Sequence, residues 1–185
     1  MNLIAADADW LRNAKRILVI GSPGSGKSTL SQRLAAMLDL PYIPMDREFF
    51  WLPGWEMRKR DEARQLIAEA VTAERWLIDG TGANSLDLRL PHAELVIWLK
   101  LPRALCLWRV VRRWIRFRGT SRPDMPEDCQ ERLDMEFIRY IWNFQHDVEP
   151  AVIQKIDELA PQLPVMILQS PSDISGLLAH TKRAL

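Results

Sequence analysis

The sequence predicts an α/β fold in three layers, with helices on both faces of a five-stranded parallel sheet. Five short apolar runs have the composition of buried strands. They span residues 16–20, 41–46, 76–80, 95–99 and 164–168. Segments with the periodicity of amphipathic helices separate these runs, for example at 61–74. Strands that alternate with helices form doubly wound parallel sheets, which bind ligands at the carboxyl ends of their strands.

The composition is that of one globular domain. The chain has 185 residues, of which 48% are hydrophobic and 26% are charged, and no repeat or long linker divides it. The formal net charge is +1, so no overall field attracts nucleic acid or an anionic membrane. Residues 1–10 lack the pattern of a secretory signal, and no apolar run is long enough to cross a bilayer. We therefore expect one domain over 1–185, cytoplasmic and monomeric.

A glycine-rich segment links the first predicted strand to the helix after it. Its sequence, Gly-Ser-Pro-Gly-Ser-Gly-Lys-Ser-Thr, fits the phosphate-loop pattern G-x-x-x-x-G-K-[ST]. A phosphate chain can approach the backbone only where no Cβ blocks it, and the N–H groups that open a helix attract anions. The residues predicted to bind the nucleotide are Gly21, Ser22, Pro23, Gly24, Ser25, Gly26, Lys27, Ser28 and Thr29. Together with the predicted sheet, this segment indicates a P-loop NTPase fold; the alternative is a glycine-rich turn.

The chemistry of this loop predicts ATP and Mg²⁺ as cofactors. Lys27 would place its ammonium on the β- and γ-phosphates, and Ser28 its hydroxyl on the metal. Cys106 and Cys129 lie far apart in the sequence and form no C-x-x-C pair. Neither a disulfide framework nor a zinc site is therefore predicted.

A basic helix is predicted from Arg103 to Arg118, a stretch with six arginines and no acidic residue. Arg109, Arg112, Arg113 and Arg116 share one face, and Leu107, Val110, Val111 and Trp114 share the opposite face. The arginines could form a solvated surface, a patch for nucleic acid or membrane, or a clamp on phosphates. We favour the clamp, because Lys27 alone supplies one cation to a triphosphate. A short arginine-rich lid is expected at about 112–128, with Gly119 as its hinge.

With these parts placed, the chain resembles the adenylate-kinase-like group of phosphate-loop kinases, and most closely the bacterial topology modulation proteins. The segments that carry the resemblance are the phosphate loop, 46–55 with its Pro-Gly-Trp, Trp-Leu-Ile-Asp-Gly at 76–80, Leu-Asp-Leu-Arg-Leu at 86–90, 101–109, Arg-Pro-Asp-Met-Pro at 122–126 and Ile-Trp-Asn-Phe at 141–144. They extend over nearly the whole chain. The resemblance implies ATP- and Mg²⁺-dependent phosphoryl transfer to a small acceptor.

The resemblance also assigns roles to single residues. Arg109 and Arg113 match the arginines that flank the lid, Arg122 and Arg132 match the pair beyond it, and Asp79 matches the carboxylate that holds the Mg²⁺ shell. The lid has no cysteine cluster and so is not of the zinc-bearing kind. Nucleoside monophosphate kinases carry an arginine directly after Asp-Gly, but 80–83 has none. Arg89 could compensate for its absence.

The acceptor is expected to bind on the side formed by about 46–75. Asp46 ends the second predicted strand and could orient or deprotonate an incoming hydroxyl, or merely cap nearby N–H groups. Phe49, Trp51 and Trp55 could stack on an acceptor ring or pack the core. The acceptor could be a nucleoside, a nucleotide or a similar hydroxyl compound.

Two other classes of function remain open in the sequence. A nucleotide-regulated protein with weak ATPase activity could bind DNA or RNA through the Arg103–Arg122 face, although nucleic acid is not the partner we favour. A GTPase would need an Asn-Lys-x-Asp base reader, and the chain has none. Asp79-Gly80-Thr81-Gly82 fits the D-x-x-G pattern of GTPases, which is a weak signal by itself.

Overall fold

A computed structural model describes residues 1–117, 119–120, 125–130 and 133–184 of the chain. The strands in these ranges are β1 (Asn2–Ile4), β2 (Arg16–Gly21), β3 (Tyr42–Pro44), β4 (Trp51–Leu52), β5 (Glu56–Met57), β6 (Trp76–Asp79), β7 (Leu95–Leu99) and β8 (Pro164–Leu168). The α-helices are α1 (Ala8–Asn13), α2 (Lys27–Leu38), α3 (Arg60–Ala70), α4 (Leu86–Arg89), α5 (Arg103–Arg116), α6 (Met135–Asp147), α7 (Glu149–Leu159) and α8 (Pro171–Ala184). A π-helical turn, Asp46–Phe50, follows β3.

The main sheet is parallel and has the strand order β1-β8-β7-β2-β6-β3 in the described ranges. The predicted α/β fold is therefore confirmed, but the sheet has six strands rather than five. The additional strand is β1, which precedes the first predicted strand at 16–20. Leu3 of β1 pairs with Val165 of β8, and Leu3 is 59% exposed. Three residues are too few to show a periodic pattern, so β1 cannot be recognised in the sequence. It is defined by its pairing with the edge of β8.

Helices cover both faces of this sheet, because side chains alternate along each strand. On one face, Ile17 and Val19 of β2 pack with Leu34 of α2 and Leu177 of α8. On the other face, Leu18 and Ile20 pack with residues of α3, α4 and α7. The central strands are buried on both sides, which is the pattern that continuous apolar runs predict. The phosphate loop consequently starts from a rigid strand.

Helix α5 packs beside the phosphate loop, and the predicted apolar face is confirmed in part, because Leu107 and Val110 lie in or against its buried cluster. Its buried residues are Cys106 and Val110, which pack with Ile141 of α6. Val111 was expected to dock and is instead 37% exposed. Trp108 and Ile115 are also exposed, at 56% and 64%. Apolar residues lie around most of the circumference of this helix, so its sequence alone does not determine which face packs against the rest of the protein.

The predicted lid covers part of α5 and residues beyond it. Positions 112–116 are the last part of α5, a continuous helix. Residues 118 and 121–124 lie outside the described ranges, so the lid remains a prediction. Within the described ranges, no helix combines the length and the apolar character that crossing a membrane would require.

Candidate active site

A cleft of about 1490 Å³ lies at the carboxyl ends of the sheet strands. It is lined by the phosphate loop, by Asp46 and Asp79, by the 80–85 loop and by Arg109 and Arg113. Phosphate-loop residues and two strand-end carboxylates were expected at this edge from the sequence. Their convergence on one cleft makes it the candidate site.

The phosphate loop can form only with glycine at its tightest points. Gly24 has a φ of +79°, and a Cβ there would lie 2.2 Å from the carbonyl oxygen of Cys106 in α5. Gly21 has a φ of +143°, and a Cβ there would lie 2.5 Å from the carbonyl oxygen of Leu99. Both the backbone conformation and the close approach exclude a side chain. The loop is therefore held between β7 and α5, with its backbone open to the cleft.

Lys27 begins α2 and turns its side chain back over the loop. Its Nζ donates a hydrogen bond to the carbonyl oxygen of Ser22 at 3.0 Å. Burial lowers the pKa of Lys27, while the nearby carboxylates of Asp79 and Asp46 act to raise it. The ammonium thus lies close to both carboxylates, and near the N–H groups that open α2.

Ser28 and Asp79 together provide oxygen atoms suited to a magnesium ion. The Ser28 side chain hydrogen-bonds Asp79, whose residue is only 4% exposed. Burial raises the pKa of Asp79, against the lowering effects of the Ser28 hydrogen bond and of Lys27. In the described part of the chain, no group of three or more His, Cys, Asp or Glu residues could hold a metal ion. Mg²⁺ usually binds through one or two protein oxygens together with phosphates and waters, so this pair fits it.

Asp46 lies at the start of the π-helical turn and is exposed within the cleft. Besides its effect on Lys27, its charge adds to the raised pKa of Asp79 and of Tyr140, in both of which burial is the larger cause. The charge of Asp46 therefore acts on Lys27, on Asp79 and on Tyr140 of α6, and all four residues line the same cleft. This location suits a group that contacts a reacting hydroxyl.

Of the α5 arginines, Arg109 and Arg113 face the loop. The Nη1 of Arg109 donates to the carbonyl oxygen of Ser25 at 2.9 Å. The charge of Arg113 is among the causes that lower the pKa of Lys27, and Arg113 lines the cleft. Arg112 is exposed and lies over the ring of Trp108, at 5.4 Å from its centroid.

Arg122 and Arg132, the predicted pair beyond the lid, lie outside the described residues. Their expected roles rest on the resemblance alone and stay predictions.

The structure corrects the expectation for Arg89. This residue is 0% exposed, and its guanidinium donates to carbonyl oxygens of the 80–85 loop instead of reaching the cleft. Burial lowers its pKa to about 9, which still leaves it charged at neutral pH. Arg89 therefore cannot replace an arginine that grips an acceptor phosphate.

Aromatic rings form much of the acceptor side of the cleft. Phe50, Trp51 and Trp55 line it, with the rings of Trp51 and Trp55 packed edge to face at 5.1 Å. Phe49 is only 4% exposed and belongs to the core, so of the two alternatives for this residue the structure shows core packing. Tyr140 of α6 is 44% exposed and also lines the cleft.

Some arginines of the acceptor side are already paired with carboxylates. Arg64 contacts Asp87 at 2.6 Å, and Arg58 forms an ion pair with Glu62. Residues 125–130 pack onto the β4–β5 hairpin, where the Nε1 of Trp55 donates to the carbonyl oxygen of Gln130 at 2.8 Å. Two arginines that line the acceptor side, Arg58 and Arg64, are thus each paired with a carboxylate.

Thr81 lies at the site without any sequence pattern that predicts its contacts. Its Oγ1 donates to the carbonyl oxygen of Gly21 at 2.8 Å and accepts from the Gly21 N–H at 3.0 Å. The two residues are 60 positions apart, and a threonine between two glycines has no pattern that indicates such a contact.

Comparison with known proteins points to one kind of enzyme. No family model matches the chain. It is 24% identical over 183 residues to the bifunctional shikimate kinase/3-dehydroquinate synthase of Thermotoga maritima, covering 91% of the chain and 37% of that protein. It is 30% identical over 114 residues to the shikimate kinase of Bradyrhizobium diazoefficiens, covering 54% of the chain and 55% of that protein. It is also 30% identical over 105 residues to the shikimate kinase of Blochmanniella floridana, covering 49% of the chain and 56% of that protein.

A solved structure of a shikimate kinase has a fold similar to that of this chain. The crystal structure of shikimate kinase from Bacteroides thetaiotaomicron matches with a TM-score of 0.50 and 18% identity, over 92% of this chain and 98% of that one. The chain thus has the fold of adenylate-kinase-like phosphate-loop kinases. It spans little more than half the length of the two single-function relatives. The narrower resemblance to topology modulation proteins stays a prediction.

Proposed function

We propose that this chain transfers the γ-phosphoryl group of ATP to a hydroxyl group of a small molecule, with Mg²⁺ as the metal. The observation that carries the proposal is the convergence of Lys27, Asp46 and Asp79 at the mouth of a glycine-bounded loop. The names of the relatives, all shikimate kinases, support the reaction type. Nothing in the cleft requires covalent catalysis, which agrees with phosphoryl transfer by positioning and charge.

The loop side of the cleft would bind and stabilise the phosphates. Lys27 and the N–H groups at the start of α2 would hold the β- and γ-phosphates, while Arg109 and Arg113 would meet charge that develops during transfer. Ser28 and Asp79 would hold Mg²⁺, which neutralises phosphate charge when bound. Arg122 and Arg132, the predicted pair beyond the lid, are proposed to complete this set.

The acceptor side would hold and activate the hydroxyl. Asp46 has the position of a base or an orienting group, because its carboxylate is exposed in the cleft near Lys27. Trp51, Trp55 and Tyr140 would enclose the rest of the acceptor and exclude water, which suppresses wasteful hydrolysis of ATP. Shikimate is the first acceptor to test because the relatives bear its name. The aromatic wall also suits nucleosides and nucleotides.

An acceptor screen tests this proposal. ADP release would be followed with shikimate, other small hydroxy acids, nucleosides and nucleoside monophosphates, with the Lys27→Ala protein as the blank. We expect at least one acceptor to raise ADP release well above the rate with ATP alone. A rate that no acceptor raises, and that equals the blank, would contradict the proposal.

A second candidate function is binding of single-stranded nucleic acid by the outer face of α5 and α6. Arg103 lies 4.1 Å from the ring centroid of Trp142, which is 43% exposed. Trp108 is 56% exposed and lies beside Arg112. Exposed aromatic rings interleaved with arginines can stack on bases and contact phosphates. Binding of an oligonucleotide that weakens steeply with salt, and is lost in Trp108→Ala, would favour it.

A further inference from the structure

Arg89 makes an unusual set of contacts for a buried charge. Its Nη1 donates to the carbonyl oxygen of Gly80 at 2.8 Å, and its Nη2 donates to those of Thr81 and Gly82 at 2.7 and 3.0 Å. Among the described residues, none of its partners is a carboxylate. Burial of a guanidinium without a counter-ion opposes folding, and an apolar side chain of similar length would avoid that cost.

The loop Gly80–Gly82, called here the junction loop, is attached to the phosphate loop. Thr81 supplies the attachment, because its hydroxyl both donates to and accepts from the backbone of Gly21. Arg89 fixes Thr81 from the other side through its carbonyl oxygen. A displacement of the junction loop would consequently be transmitted to the first residue of the phosphate loop.

The junction loop also lies against the two carboxylates of the site. Asp79 precedes it directly in the chain, and Met45, the neighbour of Asp46, packs on its glycines. A Cβ on Gly80 would lie 2.8 Å from the Cβ of Met45. The phosphate loop therefore contacts the junction loop, the candidate metal carboxylate directly precedes it, and the candidate base is the chain neighbour of a residue that packs on it.

We propose that Arg89 is a positioning residue: by gathering the carbonyl groups of the junction loop, it sets the spacing between the phosphate loop, Asp79 and Asp46. This inference rests on the proposed function. Arg89 acts through the backbone and touches neither substrate nor metal. Its planar set of donors reaches three successive carbonyl groups at once, which the single ammonium of lysine cannot do.

The test compares Arg89→Lys with Arg75→Met as a matched control. Arg75 also donates to backbone carbonyl groups, those of Leu38 and Asp39, but it does not line the cleft. We expect Arg89→Lys to bind a non-hydrolysable ATP analogue within about 3-fold of wild type and to lose about 100-fold in kcat, because small misplacements cost rate rather than affinity. Arg75→Met should keep both values. An equal loss of kcat in the two variants, or a loss confined to KM, would overturn the proposal.

Thr81→Val provides a second variant that leaves Arg89 in place and removes only the link to Gly21. It should show the same separation of kcat from analogue affinity, and it decides the matter if Arg89→Lys fails to fold. Hydrogen–deuterium exchange of peptides covering 20–27 and 79–85 gives a readout that needs no acceptor. We expect exchange to rise in both peptides in Arg89→Lys and in neither in Arg75→Met.

The exchange measurement separates failure of this inference from failure of the proposed function. If wild type forms no ADP with any acceptor, the kinase proposal fails, and coupled exchange of the two peptides still supports the positioning role. If exchange of 20–27 stays at the wild-type rate in both Arg89→Lys and Thr81→Val, the positioning role is wrong, whatever the activity.

Discussion

The ammonium group of Lys27 donates to the carbonyl oxygen of Ser22, a residue of its own loop, at 3.0 Å. The side chain is therefore held over the phosphate loop by the loop itself. Phosphate oxygens at this position would meet a cation that needs little rearrangement, which is the basis of electrostatic catalysis.

Replacement of Lys27 should remove turnover without unfolding the protein. Lys27→Ala deletes the cation nearest the loop, and we expect ATP turnover to fall by about 100-fold or more, as for other lost transition-state contacts. Because burial disfavours the charged ammonium, its removal should change the melting temperature little. Steady-state ADP release and a thermal melt check both statements. Retained turnover in the purified variant would refute the assignment of this site.

Arg113 should contribute to the rate more than to the binding of ATP. Its guanidinium lies near Lys27, where charge would develop on the transferred group, so Arg113→Ala should lower kcat by about 100-fold or more. The matched control is Arg112→Ala, whose guanidinium lies over Trp108 at the exposed surface. ATP affinity should change by less than about 3-fold in either variant. Equal losses in rate and affinity for Arg113→Ala would argue against a phosphate clamp.

The pH dependence of activity should reflect the raised pKa of the buried Asp79 carboxyl group. Burial raises the pKa of Asp79 above its ordinary value of 3.8, so the carboxylate takes up a proton at a higher pH than an exposed aspartate does. Since Mg²⁺ binds the ionised form, activity should fall on acidification at a pH above 3.8. A higher Mg²⁺ concentration should shift this fall in activity to lower pH. We would measure kcat/KM against pH at two Mg²⁺ concentrations.

Asp79→Asn provides the control for that experiment. A group whose pKa is raised on folding makes the folded state less stable as pH rises through the folded value. The asparagine variant should therefore melt no lower than wild type at neutral pH, although its activity is lost. If the loss of kcat/KM at low pH occurred at the same pH at both Mg²⁺ concentrations, the role given to Asp79 would be contradicted.

Two glycines with the same φ should respond differently to alanine. Gly24 and Gly119 both have a φ of +79°, but a Cβ on Gly24 would lie 2.2 Å from the Cys106 carbonyl oxygen, whereas Gly119 has nothing within 4 Å. Gly119→Ala should cost about 1–2 kcal/mol for the left-handed backbone. Gly24→Ala should add about 1–3 kcal/mol from the clash and abolish ATP-analogue binding. Chemical denaturation and calorimetric titration check this pair; similar values for both variants would disprove the tight contact with α5.

Much of the fold could be predicted because its strands are continuous apolar runs. Strands β7 and β8 have the predicted bounds, Leu95–Leu99 and Pro164–Leu168, since burial on both faces leaves an unmistakable run. Strand β1 could not be predicted, because its three residues are defined by their partner strand. The docked stripe of α5 could be predicted only in part: Val110 is buried as expected but Val111 is exposed, because apolar residues surround that helix.

For the candidate site, too, some features could be predicted from the sequence and others could not. The loop and its lysine were found because the chemistry demands glycine and a cation at fixed spacing. Thr81 and the buried state of Arg89 depend on contacts between segments distant in the chain, and no local pattern encodes them. Tyr140 of α6 lines the cleft, and no pattern within that helix indicates which of its residues border a ligand site.

Transfer of label from γ-³²P-ATP to the acceptor tests the central claim most directly. Wild-type protein, ATP, Mg²⁺ and each acceptor of the panel would be incubated, with Lys27→Ala as the blank, and the products separated. We predict that one acceptor becomes labelled in amounts equal to the ADP formed. Label that appears only as inorganic phosphate, or that never exceeds the blank, would contradict the assignment of this protein as a kinase.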